Sequence, residues 1–275
     1  MNRSDPHTDE RPARPGWFQL AAVALVLAAI GTAATLGWRW HRSIPVRRVA
    51  VEGAAHATPG AIRRLVRVDT SQALYQLEMR HVADRAERHP WVKRAAANRS
   101  SDGTLRLHVT ERTPAALVIQ GDTASYYLGH EGYPLPLPEK SNAPSFDVPL
   151  VRGLAEAFQP LRPTSHRALR ALLEALRDHD DARALVSEIR VAEAGGGLRL
   201  RTVRSGGGRG PSATVRLGTG AFDQKLRRLA AFWRQAVREK PRTAFSEIDL
   251  RFDGQIVARQ DSFSPSQTPT ENAAH

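Results

Sequence analysis

Apolar residues fall along this chain in three rhythms. The first is unbroken: Phe18 to Gly37 reads FQLAAVALVLAAIGTAATLG, 20 residues without a charge. A helix rises about 1.5 Å per residue, so this run is about 30 Å long, the thickness of one bilayer core. Trp17 stands at one end, and Trp38 and Trp40 at the other, where interfacial anchors belong. A cleaved signal peptide is the competing reading, with small residues at Ala33 and Ala34 suited to a peptidase. A signal core runs about 7–15 residues, shorter than this one. Length and tryptophans favour a retained span. Flanking charge gives no support to an outside C-terminus and mildly opposes it. Arg3, Arg11 and Arg14 precede it, offset by Asp5, Asp9 and Glu10, and Arg39, Arg42, Arg47 and Arg48 follow.

The second rhythm, strict alternation, marks strands, and the third, helical spacing, marks amphipathic helices. Val46, Val49 and Val51 are β-branched, and the segment Val46 to Glu52 ends at Gly53, which predicts a strand. Thr58-Pro59 reads as an N-cap with proline at the first helical position, followed by Ala61, Ile62, Leu65 and Val66 at helical spacing. A second helix is expected over Met79–Arg88, stopped by Pro90. Val92–Arg99 predicts a strand and Ser101-Asp102-Gly103 a turn. Leu105, Leu107 and Val109 then alternate with Arg106 and His108. The order β-α-α-β-β buries one sheet face under two helices.

Further on, short strands are expected at Leu117–Ile119 and Ser125–Leu128, then a proline-rich irregular connection over Tyr133–Pro149. Leu169, Leu172, Leu173 and Leu176 form the stripe of a helix over His166–His179. Strands follow at Ser187–Val191, Leu198–Val203 and Ala213–Leu217, separated by the glycine turns Gly195–Gly197 and Gly206–Gly210. Phe222–Arg238 predicts a helix carrying Leu226, Leu229, Ala230, Trp233 and Val237. Ser246–Arg259 predicts two short strands around Asp253-Gly254. From Gln260 the apolar pattern is lost, as in a disordered tail. The fold class is therefore α+β: one transmembrane helix, a β-α-α-β-β unit, then a mixed sheet with flanking helices.

Composition changes this picture little. Hydrophobic residues make up 41% and charged residues 25%, enough for a packed core. The net charge of +12 comes from 40 basic residues, of which only Lys93, Lys140, Lys225 and Lys240 are lysines. The arginines are spread over every segment, which fits solvated faces beside a membrane better than a nucleic-acid stripe. Cysteine is absent, which excludes thiolate catalysis, disulfides and Cys-ligated zinc. No nucleophile elbow, zincin helix or Walker loop occurs. Gly206–Gly210 does not open a helix after a strand, so it reads as a hairpin and not a phosphate cradle. Asp178-His179-Asp180-Asp181 reads as a solvated helix end, and the ten histidines lack ligand spacing. No catalytic, metal or cofactor residue is named.

The segments RVAVEGAAHATPGAIRRL, HPWVKRAAANR and TLRLHVTERTPAA resemble a POTRA domain of the FtsQ/DivIB type. Val49, Val51, Gly53, Thr58, Ile62, Pro90, Trp91, Val92, Ala95, Leu105, Val109, Glu111, Arg112, Pro114 and Ala115 carry the match. Ser100-Ser101-Asp102-Gly103 stands where the family often has a proline turn, and a glycine common between the two helices is missing around Asp69–Ser71. The rest resembles the family's β-domain. The matching pieces are Tyr127 with Gly132, VPLVRG, Glu188-Ile189, Val215–Gly218, Lys225 and, most specifically, Ile248–Val257 (IDLRFDGQIV). Leu128 stands where an acidic residue is usual.

The resemblance implies a division into 1–16 (cytoplasmic tail), 17–38 (span), 39–45 (linker), 46–114 (POTRA), 115–259 (β-domain) and 260–275 (tail). It also implies a cell-division scaffold of the inner membrane, N-terminus cytoplasmic and folded domains periplasmic, linking early and late division proteins. The implied partners are FtsB and FtsL, taken on as an added strand at a sheet edge. The implied contact residues are Phe252, Gly254, Gln255, Ile256, Val257 and Arg259, with Arg251 and Arg259 facing acidic partner groups. The POTRA unit would offer a second docking surface. A POTRA-bearing assembly factor unrelated to division would need a β-barrel for which little chain remains, and an anchored periplasmic enzyme is the other rival. Trp91 reads as core more readily than as a hot spot. Glu111-Arg112 is either a surface pair or a support for the junction between domains.

Overall fold

A computed structural model describes residues 16–42, 44–69, 71–138, 146–192, 197–204, 212–238 and 244–261. The expected turns at Gly206–Gly210 and Gly195-Gly196, the N-terminal tail to Pro15 and the C-terminal tail from residue 262 lie outside the described residues.

Helix α1 (Gly16–Arg42) contains the uninterrupted apolar run. Its stretch Gln19–Trp40 has a mean hydropathy of 2.1 and no buried residue, so it is long and apolar enough to cross a membrane.

The first folded unit is a three-stranded sheet ordered β1 (Arg48–Glu52), β3 (Thr104–Glu111), β2 (Val92–Arg99). Strand β1 runs parallel to β3 and β2 antiparallel to it. Helices α2 (Pro59–Val66) and α3 (Met79–Ala86) cover one face. Thr58 caps α2 by accepting the Ala61 amide, and Pro59 occupies the first turn where no donor is needed. Ile62, Val66, Val82 and Ala86 are buried against Leu105 and Leu107. Gly53 is required here: its φ is +83°, and a Cβ would stand 2.3 Å from the Val109 carbonyl oxygen. The departure at Ser100–Gly103 costs nothing visible, since Asp102 accepts the Thr104 amide and Gly103 adopts φ +84°. Arg99 pins the short 3-10 turn Leu74–Gln76, donating to the carbonyls of Leu74 and Leu77 and lying 5.8 Å from the Tyr75 ring centre.

The second unit is a nine-stranded sheet ordered β12-β11-β10-β9-β8-β7-β4-β5-β6. Its strands are β4 (Pro114–Gln120), β5 (Thr123–Gly129), β6 (Pro134–Leu135), β7 (Leu150–Arg152), β8 (Val186–Val191), β9 (Leu198–Thr202), β10 (Thr214–Gly218), β11 (Ala244–Asp249) and β12 (Val257–Asp261). Three neighbouring pairs are parallel: β4 with β7, β7 with β8, and β10 with β11. Each needs a crossover, and the longer ones carry helices. Helices α4 (Arg167–Arg177), α5 (Asp180–Arg183) and α6 (Phe222–Phe232) supply these. The α4 stripe Leu169, Leu172, Leu173 and Leu176 is buried against Val151, Ile189, Leu198 and Leu200. Each such leucine contributes about 1.5–3 kcal/mol of transfer free energy.

Several elements differ in extent from their pattern. Strands β4 and β5 are longer than the apolar cores Leu117–Ile119 and Ser125–Leu128, because hairpin pairing carries on through Gln120 and Thr123. The helix expected to reach Arg238 is α-helical to Phe232 and widens to a π-turn over Trp233–Arg238. The wide turn keeps Phe232, Trp233 and Ala236 all against the core. The connection after Gly132 contains one ordered ladder, β6 on β5.

The two units are joined by packing. Tyr127 and Leu135 of the large sheet belong to the core of the small one. Trp91, 3% exposed, is core as expected. It stacks on His56 with ring centres 5.0 Å apart, and Phe146 lies against both rings and edge-on to Tyr127. Glu111 and Arg112 fall on the junction. Glu111 accepts the amides of Ala55, His56 and Ala57 and the His56 ring nitrogen, fixing the loop after β1. Arg112 lies 4.1 Å over the Tyr133 ring and 3.6 Å from Glu131, which also holds Lys93. They are a support for the junction and not a surface pair with each other.

Candidate partner-binding edge

The chain reaches the end of the large sheet through the sequence SEIDLRFDGQIVAR. Alternation in β11 sends Ile248 inward and Glu247 and Asp249 to the other face. Leu250 continues the buried row, and its amide donates to the Arg216 carbonyl. Asp249 and Arg251 are two residues apart, so they project to the same side. Asp249 Oδ1 accepts the Arg251 amide and Nε at 3.0 Å each, and Oδ2 accepts Nη2 at 2.6 Å. This bidentate pair holds the Asp249 carboxyl below its ordinary range against a smaller opposing effect of burial, and raises the Arg251 guanidinium. Arg251, expected to face a partner, is closed on its own chain.

The turn that follows is held from below. Arg228 on α6 donates Nη1 to the carbonyls of Phe252 and Gln255 at 3.1 and 3.3 Å. Lys225, one helical turn earlier and 6% exposed, donates to the Leu217 carbonyl at the end of β10. Burial lowers its pKa. The turn itself needs Asp253-Gly254, because Gly254 sits at φ +72°.

Strand β12 then pairs antiparallel with β11, in the register Asp249↔Val257, Ile248↔Ala258, Glu247↔Arg259. Its other edge pairs with no described strand. Ile256 and Ala258 pack inward on the main core. Val257 and Arg259 point to the opposite face, and Arg259 faces Glu247 across the ladder while Glu247 holds Arg216. Phe252 and Val257 are each 53% exposed, and Gly254, Gln255 and Arg259 are exposed too. The six residues singled out from sequence are thus brought to one corner of the sheet, with Ile256 facing away from solvent. Arg228 was missed because its role depends on the packing of α6. The Asp249–Arg251 clamp was readable from its i, i+2 spacing.

This corner has the parts of a strand-acceptor site: an edge that no described strand covers, an exposed aromatic beside it, and a turn held by two arginines. Among the described residues no cluster of three or more His, Asp or Glu side chains could hold a metal ion.

Comparison with known proteins follows the same division. Residues 44–112 match the family model described as POTRA domain, FtsQ-type, and residues 113–259 match FtsQ/DivIB, C-terminal related. A protein of Rhodothermus marinus is 41% identical over 266 residues, covering 95% of each chain. One of Salinibacter ruber is 42% identical over 248 residues, covering 88% of this chain and 93% of its own. One of Anaeromyxobacter is 34% identical over 215 residues, covering 74% and 68%. All three carry the name cell division protein FtsQ.

Proposed function

Because the chain belongs to the FtsQ/DivIB family of cell division proteins, we propose that it is a membrane-anchored, non-enzymatic scaffold that binds FtsB and FtsL through the free edge of β12. A single pass through the inner membrane leaves the N-terminus in the cytoplasm and both folded units in the periplasm at the septum. There the protein links early and late division components.

The observation that carries this reading is the position of β12. It ends the nine-stranded sheet with no described strand on its outer side, beside an exposed Phe252. An uncovered edge of this kind is an aggregation hazard unless something covers it. An added strand satisfies its amides and carbonyls, while Val257, Arg259 and Phe252 supply side-chain contacts. The Asp249–Arg251 and Arg228 contacts fix the turn before binding, so little ordering remains to oppose association.

The test is a pull-down of the tagged full-length chain from its membrane, with partners identified by mass spectrometry. Recovery of single-span coiled-coil proteins of the FtsB and FtsL kind is expected. A different set of periplasmic partners, with those two absent, contradicts it.

A further inference from the structure

The small unit carries a second feature that the strand edge does not use. Between α2 and α3 lies an open cleft of about 810 Å³. Its floor is apolar, with Leu65 and Leu77 half buried and Val82 buried. Its rim is basic: Arg67, Arg85, Arg88 and His81 surround it, and Glu78 is the one carboxylate among the lining residues. Arg85 is partly engaged, donating to the Val66 carbonyl. The side chains of Arg67, His81 and Arg88 make no hydrogen bond or ion pair among the described residues.

Two observations say what this cleft meets. The first is its place in the chain. Residues 44–46, directly after α1, are stitched to 72–74: Val46 N donates to Gln72, Leu74 N donates to Ile44, and Pro45 bridges Ala73. Gln72 and Gln76 form one lip of the cleft. From Trp40, the last residue of the apolar stretch, to Pro45 an extended chain reaches at most about 18 Å. A headgroup layer adds about 5–7 Å beyond the hydrocarbon on each side. The lip is therefore tethered within about 11–13 Å of the headgroup layer whenever α1 is inserted. The second is the backbone at Arg67. It ends α2 in the left-handed region at φ 48°, where glycine or asparagine is favoured. A long cation occupies this place instead, at the mouth of the cleft.

We propose that the α2–α3 cleft binds the headgroup of an anionic phospholipid from the membrane that α1 crosses. The phosphate meets Arg67 and Arg88, and the glycerol end lies over Leu65 and Leu77. Between Arg39 and Arg112 the chain carries 15 lysines and arginines against seven carboxylates, so this whole unit is drawn to an anionic surface. The bound lipid sets the tilt of the small unit against the bilayer, and with it the height at which β12 is held. The inference rests on α1 being a membrane anchor, but not on the identity of the β12 partner.

The chain has no cysteine, so Gln76→Cys gives a single site for a fluorophore. The full-length labelled protein is placed in nanodiscs of phosphatidylcholine with increasing phosphatidylglycerol, and quenching by headgroup-spin-labelled lipid is recorded. Quenching is expected to rise with phosphatidylglycerol. The fraction giving half the effect should increase on the order of fivefold for Arg88→Gln, and further for Arg67→Gln/Arg88→Gln. Equal quenching in purely zwitterionic discs, or the same curve for both variants, overturns the proposal and leaves the cleft to another occupant, such as an acidic peptide. A chain that stays out of the discs overturns the anchor and the cleft together, whereas failure of FtsB and FtsL capture leaves this result untouched.

Discussion

Replacing Glu111 by alanine should loosen the junction between the two folded units. The carboxylate accepts the Ala57 amide at 2.8 Å, the Ala55 and His56 amides at 3.1 and 3.0 Å, and the His56 ring nitrogen at 2.8 Å. Ala55 and His56 are exposed, so water replaces much of what those amides lose. Ala57 is 3% exposed, so its amide loses a charged partner inside the core. Stranding one buried donor costs about 1–3 kcal/mol, and losing the weaker contacts brings the sum to about 2–3 kcal/mol. His56 then loses its anchor under Trp91 and Phe146, the rings that reach Tyr127 of the large sheet. For a cooperative unit of this size, about 2–4 °C of melting temperature is lost per kcal/mol, which gives a drop of about 5–10 °C. Glu111→Gln keeps one acceptor oxygen and should fall by about half as much. Scanning calorimetry of both variants in detergent or nanodiscs checks this. A drop under about 2 °C for the alanine variant would refute the reasoning.

Phe252→Ala with Gln255→Glu should weaken FtsB/FtsL capture at least tenfold, as expected for an aromatic anchor. Phe252 is half exposed, so the melting temperature should barely move, and unchanged capture by a folded variant removes this corner as the interface. Asp249 has its carboxyl held below the ordinary value of 3.8, chiefly by Arg251. Its stabilising contribution is therefore complete above that value and lost as pH falls through the lower folded one. Asp249→Asn should cost about 1 kcal/mol at neutral pH and flatten the acid limb of a denaturation series below about pH 4. An unaltered acid limb counts against the clamp. Gly153→Ala should destabilise by more than about 2 kcal/mol in urea melts. There φ is +81° and a Cβ would stand 2.5 Å from the Val191 carbonyl oxygen. Gly60→Ala, in α2 with open space around it, should instead stabilise by about 0.5–1 kcal/mol.

What could be read from the sequence was whatever local periodicity encodes. The alternation of Leu105, Leu107 and Val109 and the leucine stripe of α4 appear where the pattern placed them. The Asp253-Gly254 turn likewise separates β11 from β12. The order of strands was not legible, because β10 lies parallel beside β11 only after α6 has crossed over, and no local spacing records that. Glu111 is 54 residues from the amide it holds most closely, so its role could be posed from sequence but not decided. Arg228 gave no signal at all: it sits beside Arg227 on α6, and only the packing of α6 under the turn distinguishes the two. At the candidate edge, the pattern located the strands and their turn, while the closure of Arg251 onto Asp249 two residues away went unread.

The most direct test of the account is hydrogen exchange on the full-length protein in nanodiscs, with and without the purified FtsB–FtsL complex. The account predicts slowed exchange concentrated in Val257–Asp261, the one strand whose backbone gains a partner. Complex formation with β12 exchange unchanged, and protection elsewhere on the large sheet or the POTRA unit, would contradict it.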